Sequence, residues 1–275
     1  AFRPVCFELN FSRNHGDLPP LTLQEGGVML SVSGKIDRVD GYIRGNTLYL
    51  KVVDYKTGKK EFRLSDVLYG LNLQMFLYLM MLKQSGPAAL DSFSGCGGVQ
   101  RTEPCGALYV PAKTPYLFRE PGETDEKFQS RLDQELRRIG LVRDDGDLLE
   151  AMEHGGRFRF LPVSLKKDGS FGERSSLVSA LQLNGLLHKT EETLRRIARQ
   201  ISAGDIEADP YRINWKENAC KFCDFRAACH FDTTMEKDCL RYLPKLEEKA
   251  VRELLEKEEE ERLRRNGPEG EEEWL

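Results

Sequence analysis

Apolar and polar residues alternate along residues 28–56 in a pattern typical of β-strands. The segments VMLSVSG, IDRVDGYIR and TLYLKVVDYK show the two-residue periodicity and the β-branched residues that favour strands. Gly45 and Asn46, between the second and third segments, are typical of a tight hairpin turn. We therefore predict a meander of three strands over these residues.

A different pattern follows from Asp66 to Gln84, where a helix would be apolar on nearly all sides. Such a run is too long for a typical strand, and Ser65 suits an N-cap, so we predict one buried helix here. Residues 85–106 are rich in Gly, Ser and Pro, which predicts a loop. The segment ALYVPA that follows predicts a fourth strand.

The second half of the chain alternates between amphipathic and irregular segments. We predict a surface helix over 124–139, a strand pair that includes RFRFLPVSL, and a long helix over about 174–203 that ends at Gly204. A cysteine-containing segment comes next, and a highly charged helix is predicted over about 235–265.

Composition sets limits on the class of protein. With 275 residues, 40% of them hydrophobic, the chain can bury a substantial core. We predict one domain over 1–231 that includes a cysteine-rich C-terminal lobe, and a charged helical tail over 232–275. Since no apolar run is long enough to cross a bilayer and the first residues lack the features of a signal peptide, we expect a cytoplasmic protein without a membrane partner. The strand-like segment directly after Ala1 is interpreted as part of a longer protein.

The charge distribution bears on nucleic-acid binding. A net charge of −4 argues at first against DNA as a partner. Residues 236–275 carry 14 acidic and 9 basic side chains, so the net charge is −5 there and +1 in the rest of the chain. Overall charge is therefore uninformative about DNA, and local placement matters more, as in the basic stretch Lys56, Lys59, Lys60 and Arg63.

Two carboxylates and a lysine are predicted to share one site. Asp54 and Lys56 are two residues apart on a predicted strand, so their side chains leave the same face. Asp37 lies on the neighbouring strand across the turn, where pairing brings it close to Asp54. Two carboxylates suit Mg²⁺ or Mn²⁺, the carbonyl oxygen of Tyr55 is a further candidate ligand, and a lysine can orient water or hold a phosphate. The alternative is that these residues are ordinary exposed charges at strand ends.

Gln74 and Tyr78 are the polar residues that interrupt the predicted buried helix. They are four residues apart and therefore share one helix face. Because buried Gln and Tyr side chains need hydrogen-bond partners, we expect both to approach the strand that carries Asp54 and Lys56. The alternative is a satisfied core glutamine with a tyrosine at the rim.

Three of the seven cysteines form a C-x₂-C-x₅-C motif: Cys220, Cys223 and Cys229. Thiolate ligands at such spacing favour zinc or an iron–sulfur cluster in a reducing compartment. A zinc site would need a fourth ligand, for which His230 and Cys239 are candidates. Three structural thiols without a metal are the alternative.

The motifs GKIDRVD, VVDYKTGK and YGLNLQMFLY resemble, in order and spacing, the G-x-I-D-R-x-D, D-Y-K and Q-x-x-x-Y motifs of RecB-like PD-(D/E)XK nucleases. Within that family the chain resembles the nuclease region of AddB-type subunits of helicase-nuclease complexes, over most of residues 2–231. The resemblance implies an α/β fold with a restriction-endonuclease-like mixed sheet flanked by helices, a cysteine-rich C-terminal lobe and a charged C-terminal helix.

The resemblance also implies roles for individual residues. Asp37 and Asp54 would bind Mg²⁺ or Mn²⁺, Lys56 would serve catalysis, and Gln74 and Tyr78 would support the site and contact DNA. Family members carry a histidine on a helix upstream of the first strand, and no residue before the strand beginning VMLSV supplies it.

For the cysteine motif the resemblance implies a [4Fe–4S] cluster in the full-length protein, held by Cys220, Cys223, Cys229 and one cysteine far upstream. Cys6 does not lie where the family places that ligand, so the sequence leaves open iron–sulfur, zinc or free thiols.

We therefore predict a Mg²⁺-dependent DNA exonuclease domain of a helicase-nuclease complex that processes double-strand breaks for recombinational repair. The expected partners are DNA, as single-stranded ends, and an AddA-like helicase subunit. One alternative is a non-catalytic DNA-binding or scaffold module of such a complex, in which Asp37 and Asp54 bind no divalent ion. Another is a standalone RecB-like exonuclease.

Overall fold

The chain is described by a computed structural model that covers residues 1–58, 60–94, 98–156, 158–173, 175–232 and 240–266. The strands are β1 (Arg3–Phe11), β2 (Leu21–Glu25), β3 (Val28–Val32), β4 (Gly34–Arg44), β5 (Thr47–Lys56), β6 (Arg101–Pro111), β7 (Ile139–Arg143), β8 (Leu177–Val178), β9 (Tyr211–Arg212) and β10 (Arg241–Tyr242). The helices are α1 (Leu64–Leu68), α2 (Gln74–Ser94), α3 (Asp125–Glu135), α4 (Gly146–Met152), α5 (Ala180–Ser202), α6 (Arg226–Cys229) and α7 (Glu248–Asn266).

Within the described residues, six strands form a central mixed sheet in the order β1-β4-β5-β6-β7-β8. β5 and β6 run parallel, as do β7 and β8, and the other neighbours are antiparallel. A parallel pair needs a crossover connection, which α1 and α2 supply between β5 and β6. α2 and α5 pack on one face, and Leu148 of α4 packs against Tyr49 and Cys105 on the other. The predicted mixed α/β sheet flanked by helices is confirmed.

The hairpin between β4 and β5 follows the prediction. Arg44 pairs with Thr47 and encloses a two-residue turn, in which Gly45 has a φ of 61°. The first predicted strand is present as β3, but its predicted pairing was wrong, because β3 pairs with β2 and β1 takes the place beside β4. The physical reason is that β2 offers the buried residues Leu21 and Leu23 and lies only a two-residue turn away from β3.

The predicted single helix after Ser65 is divided into α1 and α2. Between them, Gly70 and Asn72 have φ values of 78° and 54°, which are incompatible with a continuous α-helix. The carboxylate of Asp66 accepts a hydrogen bond from the side-chain amide of Asn72 at 2.7 Å, which stabilises the break. The predicted cap was also wrong, since Ser65 lies inside α1 and the N-cap residue is Arg63.

Much of the predicted loop over 85–106 is regular structure. α2 continues to Ser94 across a kink at Gly86, whose φ is 68°, and Pro87 follows where a new helical turn begins. Ala88, Ala89 and Leu90 are strong helix formers and Leu90 is fully buried, so local propensity and core packing both favour this part of α2. The strand β6 begins already at Arg101.

The later elements agree with the predictions in part. α5 starts at a capping box formed by Ser179 and Gln182, later than predicted, and ends just before Gly204 as predicted. The predicted strand pair around RFRFLPVSL is reduced, in the described residues, to a bridge between Leu165 and Phe171.

α7 begins later than the helix predicted from about 235, since residues 240–247 contain β10 and irregular backbone and 233–239 lie outside the described residues. It packs against α5, where a Cβ atom at Gly185 would lie 3.0 Å from the carbonyl oxygen of Leu255. None of the described helices combines the length and the apolar character needed to span a membrane.

Candidate active site

Asp37 and Asp54 lie opposite each other on neighbouring strands. The β4–β5 ladder includes the pair Arg38–Val53, and the next position in this register is Asp37 with Asp54. Directly opposed residues on paired strands point to the same face with Cβ atoms about 5 Å apart. The structure therefore brings the two predicted acids together, at the end of the ladder.

Asp54 is buried, with an exposed fraction of 4%. Its Oδ2 atom lies 2.6 Å from Nζ of Lys56 as an ion pair, yet this oxygen accepts no hydrogen bond with acceptable geometry from the described residues. The ammonium of Lys56 therefore offsets the charge of this buried oxygen without a well-directed hydrogen bond, and a divalent cation bound to Asp54 would share the oxygen with Lys56.

The main chain of Tyr55 joins the two acids. Its N–H donates to Oδ2 of Asp37 at 2.9 Å. The carbonyl of Lys56 accepts a hydrogen bond from Ala112 on the β6 side, and carbonyls alternate along a strand, so that of Tyr55 points to the β4 side where Asp37 lies. The phenol of Tyr55 leaves the opposite face and accepts a hydrogen bond from Arg38 at 3.3 Å.

Gln74 and Tyr78 lie at the start of α2, and their side chains bind each other. Nε2 of Gln74 donates to the hydroxyl oxygen of Tyr78 at 2.8 Å. Tyr78 is buried in the main core, whereas Gln74 is exposed, so the expectation that Gln74 is a buried polar residue was wrong. At the first turn of the helix, Gln74 projects beyond the core that covers Tyr78.

Tyr109 of β6 is a site residue that the sequence reasoning missed. It is the parallel neighbour of Asp54 and is almost fully buried. Burial, then the negative charge of Asp54 and the proximity of Tyr78, raise the pKa of Tyr109 to about 12. Nζ of Lys56 lies 5.6 Å from the centre of its ring. The sequence signal that could have indicated Tyr109 was the segment ALYVPA, an apolar strand that contains a single tyrosine.

A cleft of about 790 Å³ opens beside Lys56 and Tyr109. Its lining includes two acidic side chains and five cationic ones, which are Lys56, Lys60, Lys113, Arg137 and Arg138. This positive cleft lies in a chain of net negative charge, and an anionic ligand that approaches Lys56 would be attracted to it.

The donor set at Asp37 and Asp54 fits a hard divalent cation. Carboxylate oxygens are preferred ligands of Mg²⁺ and Mn²⁺, and one oxygen of Asp54 lacks a hydrogen bond. Among the described residues no three His, Cys, Asp or Glu side chains converge on a metal position. Such an ion would therefore complete its coordination with main-chain oxygens or water.

The second acid of the GKIDRVD motif belongs to the opposite face of the sheet. Asp40 is buried, binds the guanidinium of Arg38 at 2.5 Å and forms an ion pair with the buried Lys51 at 3.2 Å. It therefore has a structural role in the described fold and does not join Asp37.

The cysteine motif does not form a metal site in the described residues. Cys220, Cys223 and Cys229 lie on one loop and the short helix α6 as free thiols, the last two exposed. No converging ligand group includes them, and the candidate ligand Cys239 lies outside the described residues. Among the described residues these three thiols do not converge on a common position, and we derive no chemistry from an iron–sulfur cluster. Lys59 of the predicted basic stretch also lies outside the described residues.

All residues before β3 are described by the structure. They form β1 and β2 and contain no helix. The upstream helix with a histidine that the family resemblance implies is thus not formed by them. Glu8, which is opposite Asp37 in the β1–β4 register, is exposed and pairs with Lys35.

Comparison with known proteins shows the family of this chain. The model of the PD-(D/E)XK nuclease superfamily matches residues 1–230. Curated relatives include ATP-dependent helicase/deoxyribonuclease subunits of the B type from Acetivibrio thermocellus (32% identical, 95% of this chain), Clostridium acetobutylicum (32%, 94% of this chain) and Bacillus cereus (32%, 94% of this chain). The chain spans about a fifth of the length of these relatives, 22% in each case. Since the family model covers most of its residues, the chain belongs to the PD-(D/E)XK nuclease superfamily.

Proposed function

We propose that this chain is the Mg²⁺-dependent exonuclease domain of a cytoplasmic helicase-nuclease complex that processes double-strand DNA breaks for recombinational repair. The observation that carries the proposal is the pairing of Asp37 with the buried Asp54, one oxygen of which lacks a hydrogen bond while Lys56 lies beside it. The substrate would be a single-stranded DNA end.

The residues have distinct tasks in this proposal. Asp37, Asp54 and the carbonyl of Tyr55 would hold the divalent ion, which when bound supplies charge neutralisation and an activated water. The N–H of Tyr55 fixes the carboxylate of Asp37 by a 2.9 Å hydrogen bond, so this ligand needs little reorganisation.

Lys56 would act on the phosphate or on the attacking water. Its ammonium lies 2.6 Å from Asp54 and faces the ring of Tyr109, which restricts the direction in which it can donate. A lysine held in this way can orient water or stabilise the negative charge that develops on a phosphate oxygen. Tyr78 and Gln74 would support this corner of the site, because Tyr78 neighbours Tyr109 and binds Gln74.

The relatives' names support the larger assembly. These names combine helicase and deoxyribonuclease in a protein that is itself one subunit, and this chain matches about a fifth of such a protein. A helicase subunit of the AddA type would therefore deliver the strand to the nuclease site.

The decisive experiment replaces Asp54 by Asn in the full-length protein and follows degradation of linear single-stranded DNA in Mg²⁺. We expect cleavage to fall by about 100-fold or more, because the variant loses a charged ligand of the divalent ion. Asp147→Asn is the matched control, since Asp147 is 80% exposed and the charge change is identical. Undiminished cleavage by Asp54→Asn would contradict the proposal.

Calorimetry with Mn²⁺ separates this function from that of a non-catalytic scaffold. The nuclease proposal predicts Mn²⁺ binding to the wild-type protein that Asp54→Asn weakens strongly. If neither protein binds Mn²⁺, the chain is a DNA-binding or scaffold module instead.

A further inference from the structure

The ammonium group of Lys60, four residues after Lys56, also lies near the site. Nζ of Lys60 lies 5.2 Å from the centre of the Tyr109 ring, and Nζ of Lys56 lies 5.6 Å from it. Both lysines line the 790 Å³ cleft. The proposed function assigns a task to Lys56 only, so the position of Lys60 calls for an explanation.

Lys60 is held in place by a short hydrogen-bonded chain. Its Nζ donates to Oδ1 of Asn72 at 2.8 Å, and Nδ2 of Asn72 donates to Oδ2 of the buried Asp66 at 2.7 Å. The bond to Asp66 fixes the orientation of the Asn72 amide, so that its oxygen faces Lys60. Asn72 occupies the break between α1 and α2 with a φ of 54°.

This arrangement positions the charge of Lys60 without neutralising it. Its hydrogen-bond partner is a neutral amide, and no carboxylate of the described residues forms an ion pair with it. An ammonium has three donors, and the bond to Asn72 uses one. By contrast, the guanidinium of Arg137 in the same cleft donates to the carbonyls of Leu161 and Val163.

Two exposed aromatic residues follow directly after a segment that lines the cleft. Pro115 lines the cleft, and the next residue, Tyr116, has an exposed fraction of 94%. Phe118 on the same segment is 88% exposed. Exposed aromatic rings beside a cationic groove are the features with which proteins bind the unstacked bases and the backbone of single-stranded nucleic acid.

We propose that this cleft binds the DNA strand next to the scissile phosphate, with Lys60, positioned by Asn72, contacting a neighbouring phosphate and Tyr116 stacking on a base. This inference rests on the proposed nuclease function and adds to it the path of the strand. Asn72 is a positioning residue, because it acts through Lys60.

The first test uses cleavage kinetics of the full-length protein on a short single-stranded oligothymidylate. Lys60→Gln should raise KM about tenfold with little change in kcat, as expected for loss of one charge-assisted contact that is equal in the ground and transition states. The salt dependence of log(kcat/KM) should become shallower by about 0.7, the value for one phosphate of a single strand. Lys249→Gln on α7, which is 87% exposed, is the control with the same charge change. Wild-type KM and salt dependence in Lys60→Gln would overturn the inference.

The role of Asn72 is tested with Asn72→Gly, since glycine tolerates the positive φ at this position. The ammonium of Lys60 remains but loses its hydrogen-bond partner, so KM should rise several-fold while the salt dependence stays that of the wild type. An unchanged KM would show that Asn72 does not position Lys60.

The strand path also has a readout that does not depend on cleavage. In EDTA, a photoreactive oligothymidylate should crosslink to the peptide that contains Tyr116, and Tyr116→Ala should weaken single-strand binding at this site roughly tenfold without affecting blunt duplex. Absence of this crosslink, or an equal effect on duplex, would overturn the strand assignment. If Asp54→Asn abolishes cleavage while these tests fail, the nuclease function stands and only the path is wrong.

Discussion

Asp37 and Tyr55 are joined across β4 and β5 by a hydrogen bond of 2.9 Å from the main-chain N–H of Tyr55 to the carboxylate. The bond extends the contact between the strands beyond the last pair of their ladder, Arg38 with Val53. It fixes the carboxylate of Asp37 at the end of the ladder without a bound ion.

The first prediction concerns Asp37→Asn. The amide oxygen can still accept the N–H of Tyr55, so the free energy of unfolding should change by less than about 1 kcal/mol. Mn²⁺ affinity and the rate of metal-dependent cleavage should both fall strongly, the latter by about 100-fold. Calorimetry and urea unfolding measure the two effects separately. A large loss of stability with normal Mn²⁺ binding would show that Asp37 serves the fold and not the site.

The second prediction concerns the buried ion pair on the opposite face. Burial lowers the pKa of Lys51, and Asp40 is its carboxylate partner at 3.2 Å. Asp40→Asn leaves a buried ammonium without a counter-charge and should lower the free energy of unfolding by about 3–5 kcal/mol, measured in urea. Glu61→Gln, at an acid whose side chain is 79% exposed, should change it by less than about 0.5 kcal/mol. Equal effects of the two substitutions would refute the structural role of Asp40.

The third prediction is a pH dependence at the contact of α5 with α7. Burial alone would raise the pKa of Glu259, but hydrogen bonds from His188 and Arg262 outweigh it and lower the pKa from 4.5 to about 2. A carboxylate with a lowered folded-state pKa contributes stability above its unfolded pKa and loses it as the pH falls. Glu259→Gln should therefore destabilise the protein by up to about 3 kcal/mol at neutral pH.

The difference between wild type and Glu259→Gln should shrink as the pH falls from 4.5 towards 2. Unfolding in urea at a series of pH values measures it. Glu253→Gln on the same helix is the control, because Glu253 is 67% exposed. A difference that is constant over this range would contradict the assignment.

The fourth prediction distinguishes the cysteines by their reactivity. Cys223 and Cys229 are exposed free thiols and should be alkylated by iodoacetamide in the native protein. Burial, with the negative charges of Asp17 and Asp40, raises the pKa of Cys6 to about 12, and burial also raises the pKa of Cys105. Both should react only after unfolding, as peptide mapping by mass spectrometry would show. Protection of Cys223 and Cys229 that a chelator removes would instead indicate a bound metal.

The pairing of the two acids was predictable because it depends on local rules. A two-residue turn at Gly45 and Asn46 fixes the register of β4 against β5, and Asp37 and Asp54 are equally distant from that turn. The two-residue periodicity of a strand then places Lys56 on the same face as Asp54. The hairpin thus encodes this part of the site within about 20 residues of sequence.

The partner of β3 and the ends of α2 were not predictable in this way. β3 had two possible neighbours of similar composition, and its actual partner, β2, depends on how Leu21 and Leu23 enter the core. The segment after Gly86 was predicted as a loop from the Gly, Ser and Pro content of the whole stretch, but Ala88, Ala89 and the buried Leu90 favour a helix. For β3, packing with distant residues outweighs local preference.

Strand period and turn length act between near neighbours, so the order of residues along the chain was enough to predict that Asp37, Asp54 and Lys56 share one site. The fold class was implied by the resemblance of the motifs to those of a nuclease family. That Tyr109 lies beside Asp54, and that Asn72 holds Lys60 in the cleft, became evident only from the folded chain. These contacts require the parallel pairing of β5 with β6 and the break between α1 and α2. The parallel pairing depends on burying apolar surface along a long crossover, which no local pattern of residues encodes.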